Sequence, residues 1–178
     1  YNGQASAAHG FSASISNNVH YHQIEAAYTN IDPTTGSPNA YFKGQGIGMV
    51  FDDFSSDCSV EYSYSHHNAG PGMALAHQAD NNTASYNVIS NNGAWGLVVN
   101  GNKGTSDNVK IFNNTIYGNK QDGIAAWTLS DGLLIKNNII VNNGGRGIMF
   151  TLTGVTRYTV ATNLIFGNTL GETANVTG

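Results

Sequence analysis

The sequence predicts an all-β solenoid of stacked parallel coils, and three observations carry that prediction. One motif recurs in NNTIYGNKQDGIAAW, NNIIVNNGGRGIMF and YNVISNNGAWGLVV: an asparagine, a short mostly apolar run, a polar turn, then glycine and a second apolar run. Recurrence of this kind is the signature of repeat architectures. The apolar runs are too short for helices and rich in Val, Ile, Phe and Tyr, as strands are. The polar residues keep fixed places in the repeat, so the abundant Asn and Gly describe ordered turns and not a disordered chain.

With asparagine as register, one column reads Asn18, Asn39, Ser63, Asn87, Asn114, Asn138 and Asn163, in steps of 21, 24, 24, 27, 24 and 25 residues. Nine positions after each of the first six comes Ala27, Gly48, Gly72, Gly96, Gly123 and Gly147. Beyond the glycines, Met49, Met73, Leu97, Ile124 and Ile148 should stack inside, joined two residues on by Phe51, Leu75, Val99, Ala126 and Phe150. Each coil would pair with those above and below at ~4.8 Å per step. The asparagines should form an internal ladder, bonding one another and the turn backbone. That arrangement satisfies amides that are costly to bury unpaired.

Taken in chain order, NVHYHQIE puts His20 and His22 on one strand face, a spacing known in metal sites. Lys43 falls between that face and His67 in the expected stack, which argues for polar surface histidines or a sugar-binding edge instead of a metal. MVFDDFSSD at 49–57 then runs an apolar strand straight into Asp52 and Asp53. Strand alternation turns the column after Phe51 outward, through Asp52, Ala76, Asn100, Trp127 and Thr151. The next column reads Asp53, His77, Gly101, Thr128 and Leu152. One coil earlier Asp32 is expected level with the pair, so Asp32, Asp52, Asp53 and His77 would share one outer edge. Lys103 would follow on the fourth coil, in the longer turn NGNKGTSDN. Carboxylates ~5 Å apart per coil and ~10 Å across two bracket the separations that glycoside hydrolysis uses. Asp residues also cap turns by bonding nearby backbone N–H groups, the plainer role open to each of them.

YSYSHHNAGPG follows with Tyr62, Tyr64, His66 and His67. Its imidazoles could do acid–base work, line a sugar-binding edge or pair as surface groups. Trp95 and Trp127 should face partly outward, where a ring stacks on a sugar or covers an apolar gap. Asp122 and Arg146 are column neighbours and are expected to form an exposed ion pair of little energetic weight. NNT at 81–83, NNT at 113–115 and NVT at 175–177 match glycosylation sequons, which an Asn-rich repeat generates by composition. NTLGETANVTG keeps coil character to the last residue, so a fragment of a longer chain, or self-association through the solenoid ends, is expected.

The 178 residues suffice for a single domain spanning 1–178. Only 10% are charged, the net charge is −4 and no basic stripe invites nucleic acid. No apolar run is long enough to cross a membrane, and no signal peptide opens the chain at Tyr1. The single cysteine, Cys58, excludes an internal disulfide and a multi-cysteine zinc cage, and is expected to be a small buried side chain. Residues 1–90 hold seven of the eleven acids, all six histidines and one basic residue, Lys43. Acid or imidazole chemistry therefore belongs to that half.

The Asn/Gly repeat over roughly residues 15–170 resembles the right-handed parallel β-helix superfamily, the pectin-lyase-like proteins. That resemblance implies a single right-handed parallel β-helix, here of about seven coils, and an extracellular or cell-surface protein acting on polysaccharide. An Asp, an Asp pair, a His and a basic residue in series also resemble polygalacturonase-type glycoside hydrolases. In that family the aspartates serve as general acid and water activators, the histidine assists, and the basic residue binds a uronate carboxylate. Only Asp52–Asp53 match its motif closely: Asp32 stands in TNID, His77 in LAHQ without flanking glycines, and Lys103 in GNK without a preceding arginine. The leading expectation is hydrolysis by Asp32, Asp52 and Asp53, with His77 tuning them. Lys103, Trp95, Trp127, His66 and His67 would bind substrate, and no cofactor is required. A lyase or epimerase is the alternative, with Ca²⁺ held by the carboxylates and Lys103, Arg146 or His77 as base. A structural or adhesive solenoid without turnover is the third.

Overall fold

Residues 9–32, 34–38, 46–100, 104–127, 130–151, 155–174 and 176 are described by a computed structural model of the chain. The first coil carries β1 (His9–Ser14), β2 (His20–His22) and β3 (Glu25–Ala27). The second carries β4 (Ile47–Asp52), β5 (Ser59–Glu61) and β6 (Tyr64–His66), and the third β7 (Met73–Ala76), β8 (Thr83–Ser85) and β9 (Val88–Ser90). Next come β10 (Leu97–Asn100), β11 (Lys110–Phe112) and β12 (Thr115–Tyr117). The fifth coil has β13 (Ile124–Trp127), β14 (Ser130–Asp131), β15 (Leu134–Lys136) and β16 (Ile139–Val141). The last strands are β17 (Ile148–Phe150), β18 (Val155–Thr156), β19 (Thr159–Ala161), β20 (Leu164–Phe166) and β21 (Thr173–Ala174).

Each strand pairs in parallel with its counterpart one coil away, giving long sheets of seven, six and six strands, close to the coil number expected. Sheet 1 runs β1-β4-β7-β10-β13-β17-β21, sheet 2 holds β2, β5, β8, β11, β15 and β19, and sheet 3 holds β3, β6, β9, β12, β16 and β20. No helix among the described residues is long and apolar enough to cross a membrane.

The predicted inner columns hold. Met49, Met73, Leu97, Ile124 and Ile148 are buried, with Phe51, Leu75, Val99, Ala126 and Phe150, and Ile89, Ile116 and Ile140 close the core from sheet 3. Cys58 is buried with them. Burial pushes its thiol pKa up, as expected of an inert small side chain.

Coils turn at two corners by the same device. Between sheets 2 and 3 the residues Gln23, Tyr62, Tyr86, Asn113, Asn137 and Thr162 take positive φ. Between sheets 3 and 1, Tyr28, His67, Asn91, Gly118, Asn142 and Gly167 do the same. At most of these turns the next residue is a buried asparagine. Asn114 Oδ1 accepts both Asn87 N–H and Asn87 Nδ2–H at 3.0 Å, while Asn114 Nδ2 donates to Ala84 O and to Asn138 Oδ1. This is the predicted ladder through Asn87, Asn114, Asn138 and Asn163. A second ladder, which the sequence reading did not single out, runs through Asn68, Asn92, Asn119, Asn143 and Asn168.

The first coil departs from the expected register. Ile24 N–H donates to Ser63 Oγ, so Ser63 follows directly on residue 24, and the step is 39 residues with an insertion before β4. Asn18 lies at another corner, bonded to Ser56 O, and Asn39 is outside the described residues. The glycine column begins at Gly10, facing Gly48, and Ala27 instead ends β3 opposite His66. Residues 24–63 are one long coil where the repeat count alone gives two.

Candidate functional site

Asp52 ends β4 on the outer face of sheet 1, its coil-1 partner being Ser14. Asp53 follows at φ 40°, starting the corner into sheet 2, and His77 begins the same corner one coil on at φ 56°. Pairing continues through the bend, with Phe54 N–H donating to His77 O at 3.0 Å. The turn swings both carboxylates toward one imidazole. His77 Nδ1 lies 2.6 Å from Asp52 Oδ1 and 3.6 Å from Asp53 Oδ1. The His77 and Asp52 side chains are 23% exposed and Asp53 is 34% exposed, so all three are reachable from solvent. Asp52 Oδ1 also accepts the Asp53 N–H at 3.0 Å, the turn-capping role in combination with the other.

For all its closeness to Asp52 Oδ1, His77 Nδ1 is buried and has no aligned hydrogen-bond partner. Ligand atoms of Asp52, Asp53 and His77 all lie within 4.8 Å of one another, a grouping able to hold a divalent cation. An imidazole nitrogen with two carboxylates suits Zn²⁺ or Mn²⁺, whereas Ca²⁺ takes oxygen ligands and would use the aspartates. His9, on β1, has its pKa lowered by burial, an effect the Asp52 charge partly opposes.

The expected edge is thus assembled in part. Asp52, Asp53 and His77 converge, but Asp32 sits in the coil-1 insertion. There its backbone N–H donates to Ser37 O, its carbonyl accepts from Gly36, and its carboxylate accepts Thr34 N–H at 2.7 Å. Ile31 and Pro38 bridge antiparallel beside it, so Asp32 caps a small hairpin and is not level with the pair. The 39-residue first coil, longer than the repeat by its insertion, carries Asp32 away from that edge. Lys103 and Lys43 lie outside the described residues.

Trp127 shares the outward row of Asp52, three strands along sheet 1 through Ala76 and Asn100, or ~14 Å. Beside that row, two residues earlier on each strand, runs an apolar outer strip of Val50, Ala74, Val98 and Ala125, with Trp95, Trp127 and Met149 packed against it. Trp95 meets Trp127 edge-to-face at 4.4 Å and donates its Nε1–H to Asp122 Oδ2. Asp122 Oδ1 accepts the backbone N–H of Arg146, and this backbone bond replaces the expected ion pair. Arg146 and Lys120 instead line a cleft of about 670 Å³ with Met149 and Leu170.

His66 and His67 lie at the other edge of sheet 1, where the chain leaves β6 toward β7. His20 and His22 do share an outward face of β2, and they contact Ser59 and Tyr62 of the next coil.

Fold and site together define a parallel β-solenoid with an acid–imidazole cluster at the edge of its longest sheet. The family described as right handed beta helix region matches residues 3–133 and 104–177, and the chain belongs to it. No curated protein sequence matches the chain. Among solved structures it is similar to the T265N mutant of the periplasmic alginate epimerase AlgG, at 18% identity and TM-score 0.69, over 94% of this chain and 36% of that one. It is also similar to the A-module of the Azotobacter vinelandii mannuronan C-5 epimerase AlgE6, at 13% identity and TM-score 0.66, over 94% and 54%. A third is the Agl-KA catalytic domain, at 22% identity and TM-score 0.61, over 89% and 33%. The chain spans between a third and about half of those structures.

Proposed function

We propose that this chain acts on an extended extracellular polysaccharide laid along the outer face of sheet 1, cleaving glycosidic bonds at Asp52, Asp53 and His77. One observation carries the reading: two carboxylates and an imidazole converge within 4.8 Å at the edge of that face while remaining open to solvent. Asp53, the more exposed carboxyl, gives its proton to the leaving oxygen. Asp52, held against His77, attacks the anomeric carbon as the glycosidic bond breaks, because carboxyls this close leave no room for an intervening water. A water deprotonated by Asp53 then releases the sugar from Asp52. Trp127 and Trp95 would hold sugars further along the strip, since flat rings stack on sugar faces. Asp32 has no part in this centre, by its position in the hairpin.

A second reading is a cation-assisted lyase or epimerase, favoured by the metal-capable donor set. Two of the similar structures are named for epimerases of alginate or mannuronan, which adds to it. There the aspartates would hold a cation that neutralises a uronate carboxylate.

Both are tested by measuring reducing ends and 235-nm absorbance over pectic, alginate, xylan and host-glycan substrates, for native protein and Asp53→Asn, with and without added divalent cations. New reducing ends that fall by about 10²-fold or more in Asp53→Asn support hydrolysis. Cation-dependent absorbance supports the second reading. Silence across the panel sinks both and leaves a binding or structural solenoid.

A further inference from the structure

Sheet 3 turns the first and third residue of each strand outward. In coils 1 and 2 that face is polar, with Glu25 held to His66. Over coils 3 to 6 it becomes apolar, through Val88, Tyr117, Ile139, Val141, Leu164 and Phe166. Val88, Ile139, Leu164 and Phe166 are 36%, 42%, 54% and 50% exposed. Among the described residues no charged side chain stands on this stretch, and the positive-φ corner residues beside it are Asn, Gly, Thr and Tyr86. Sheet 2 shows the contrast, since its outward positions include Glu61, Lys110 and Lys136.

Parallel sheets ordinarily have both faces covered, so an apolar outer face open to water is an unfinished one. Contiguous apolar surface of this kind marks an interaction site. Tyr62 and Tyr86 extend it along the sheet 2–sheet 3 corner, 54% and 46% exposed. A whole aromatic side chain offers ~150–250 Å², and on that scale the exposed parts of this face come to roughly 600 Å². Two copies meeting there would bury about 1,200 Å² in all, the lower bound of a stable specific interface. The chain carries a net charge of −4, and an uncharged stretch is where two such copies approach without opposing like charges.

We infer that this face joins two copies of the chain, sheet 3 against sheet 3, about a two-fold axis parallel to the strands. The two solenoids then run in opposite directions, with the axis passing between coils 4 and 5. Apolar sheets pack face to face at ~10 Å. Small residues meet large ones: Val88 faces Leu164 of the second copy, Ser90 faces Phe166, Thr115 faces Ile139 and Tyr117 faces Val141, each contact made twice. Solenoids running the same way would instead set Leu164 against Phe166 and bring both Glu25 carboxylates to one level, where like charges cost affinity. A contact of this symmetry closes at two copies. Sheet 1 lies on another side of the solenoid and stays open in the pair. The inference therefore does not rest on Asp52, Asp53 or His77.

Sedimentation equilibrium of the full chain over a range of concentrations should give twice the chain mass, with Kd in the micromolar range. Leu164→Lys and Phe166→Lys should each raise Kd at least about tenfold. Both side chains are half exposed in the single chain, so these variants should fold and keep the native far-UV circular dichroism spectrum. Ile15→Lys, at an exposed corner between sheets 1 and 2, should leave Kd unchanged. Val88→Asp added to Leu164→Lys should restore dimerisation. Those two positions stand three coils apart within one copy, ~14 Å, and meet only across the pair. A monomer at every concentration, a Kd indifferent to both lysine variants of the face, a Kd raised as much by Ile15→Lys, or no recovery in the double variant each overturns the proposal.

Discussion

His9 and His67 both have pKa values held below the ordinary histidine value, with burial the main cause at each. At His9 the Asp52 charge opposes the shift, and at His67 the neighbouring His66 adds to it. The sign follows from proton counting. A histidine whose folded pKa is lowered binds fewer protons folded than unfolded, so its contribution is intact above about pH 6.5 and erodes as pH falls below it. Stability by urea denaturation should therefore drop between pH 7.5 and pH 5, and His9→Gln should flatten that slope. An unchanged slope would mean that His9 is solvated in the folded protein. At the same scale the Asp52, Asp53 and His77 grouping was legible beforehand. Alternation along β4 and a 24-residue step to His77 were enough. Asp32 falls outside that grouping: DPTTGSP, a run of turn-forming residues, is the signal that the coil pauses for a hairpin, and counting by the repeat alone passes over it.

The corners carry the strongest element-scale predictions. Asn114→Ala removes an acceptor for two donors of Asn87 and a donor to Ala84 O, all in a buried column. It should lower unfolding free energy by about 3 kcal/mol, since buried partners left unpaired cost about 1–3 kcal/mol each. Gly96→Ala tests the glycine column. A Cβ there would come within 2.5 Å of Ile116 Cγ2 and 2.6 Å of Gly123 O, the second being backbone that cannot rotate away. Overpacking of this kind costs about 1–3 kcal/mol, readable as a lower urea midpoint. A neutral result at either site would show that coils slide enough to absorb the change. The second ladder was readable too: Asn68, Asn92, Asn119, Asn143 and Asn168 each stand five residues after a member of the first column. The Glu25–His66 contact was not. It spans 41 residues across the insertion, and a strict repeat count points each of them at other neighbours.

Across the whole molecule, parallel pairing makes sheet 1 a ruler with a cluster of titratable side chains at each edge. The acid–imidazole cluster lies where the chain leaves β7, and the Glu25, His66 and His67 contacts lie where it arrives. The ladders have a direction as well. Every side-chain amide donates toward the next coil, from Asn68 to Asn92, Asn119, Asn143 and Asn168 in turn. Aligned amides polarise one another, so the column behaves as a chain of like-pointing dipoles with a positive pole at its donor end. At that pole Asn168 Nδ2 meets the carboxylate of Glu172 at 3.2 Å, much as an acidic side chain settles at the start of a helix. The solenoid is therefore electrically polar along its axis, and any partner stacked on it in continuation must present acceptors to one end and donors to the other.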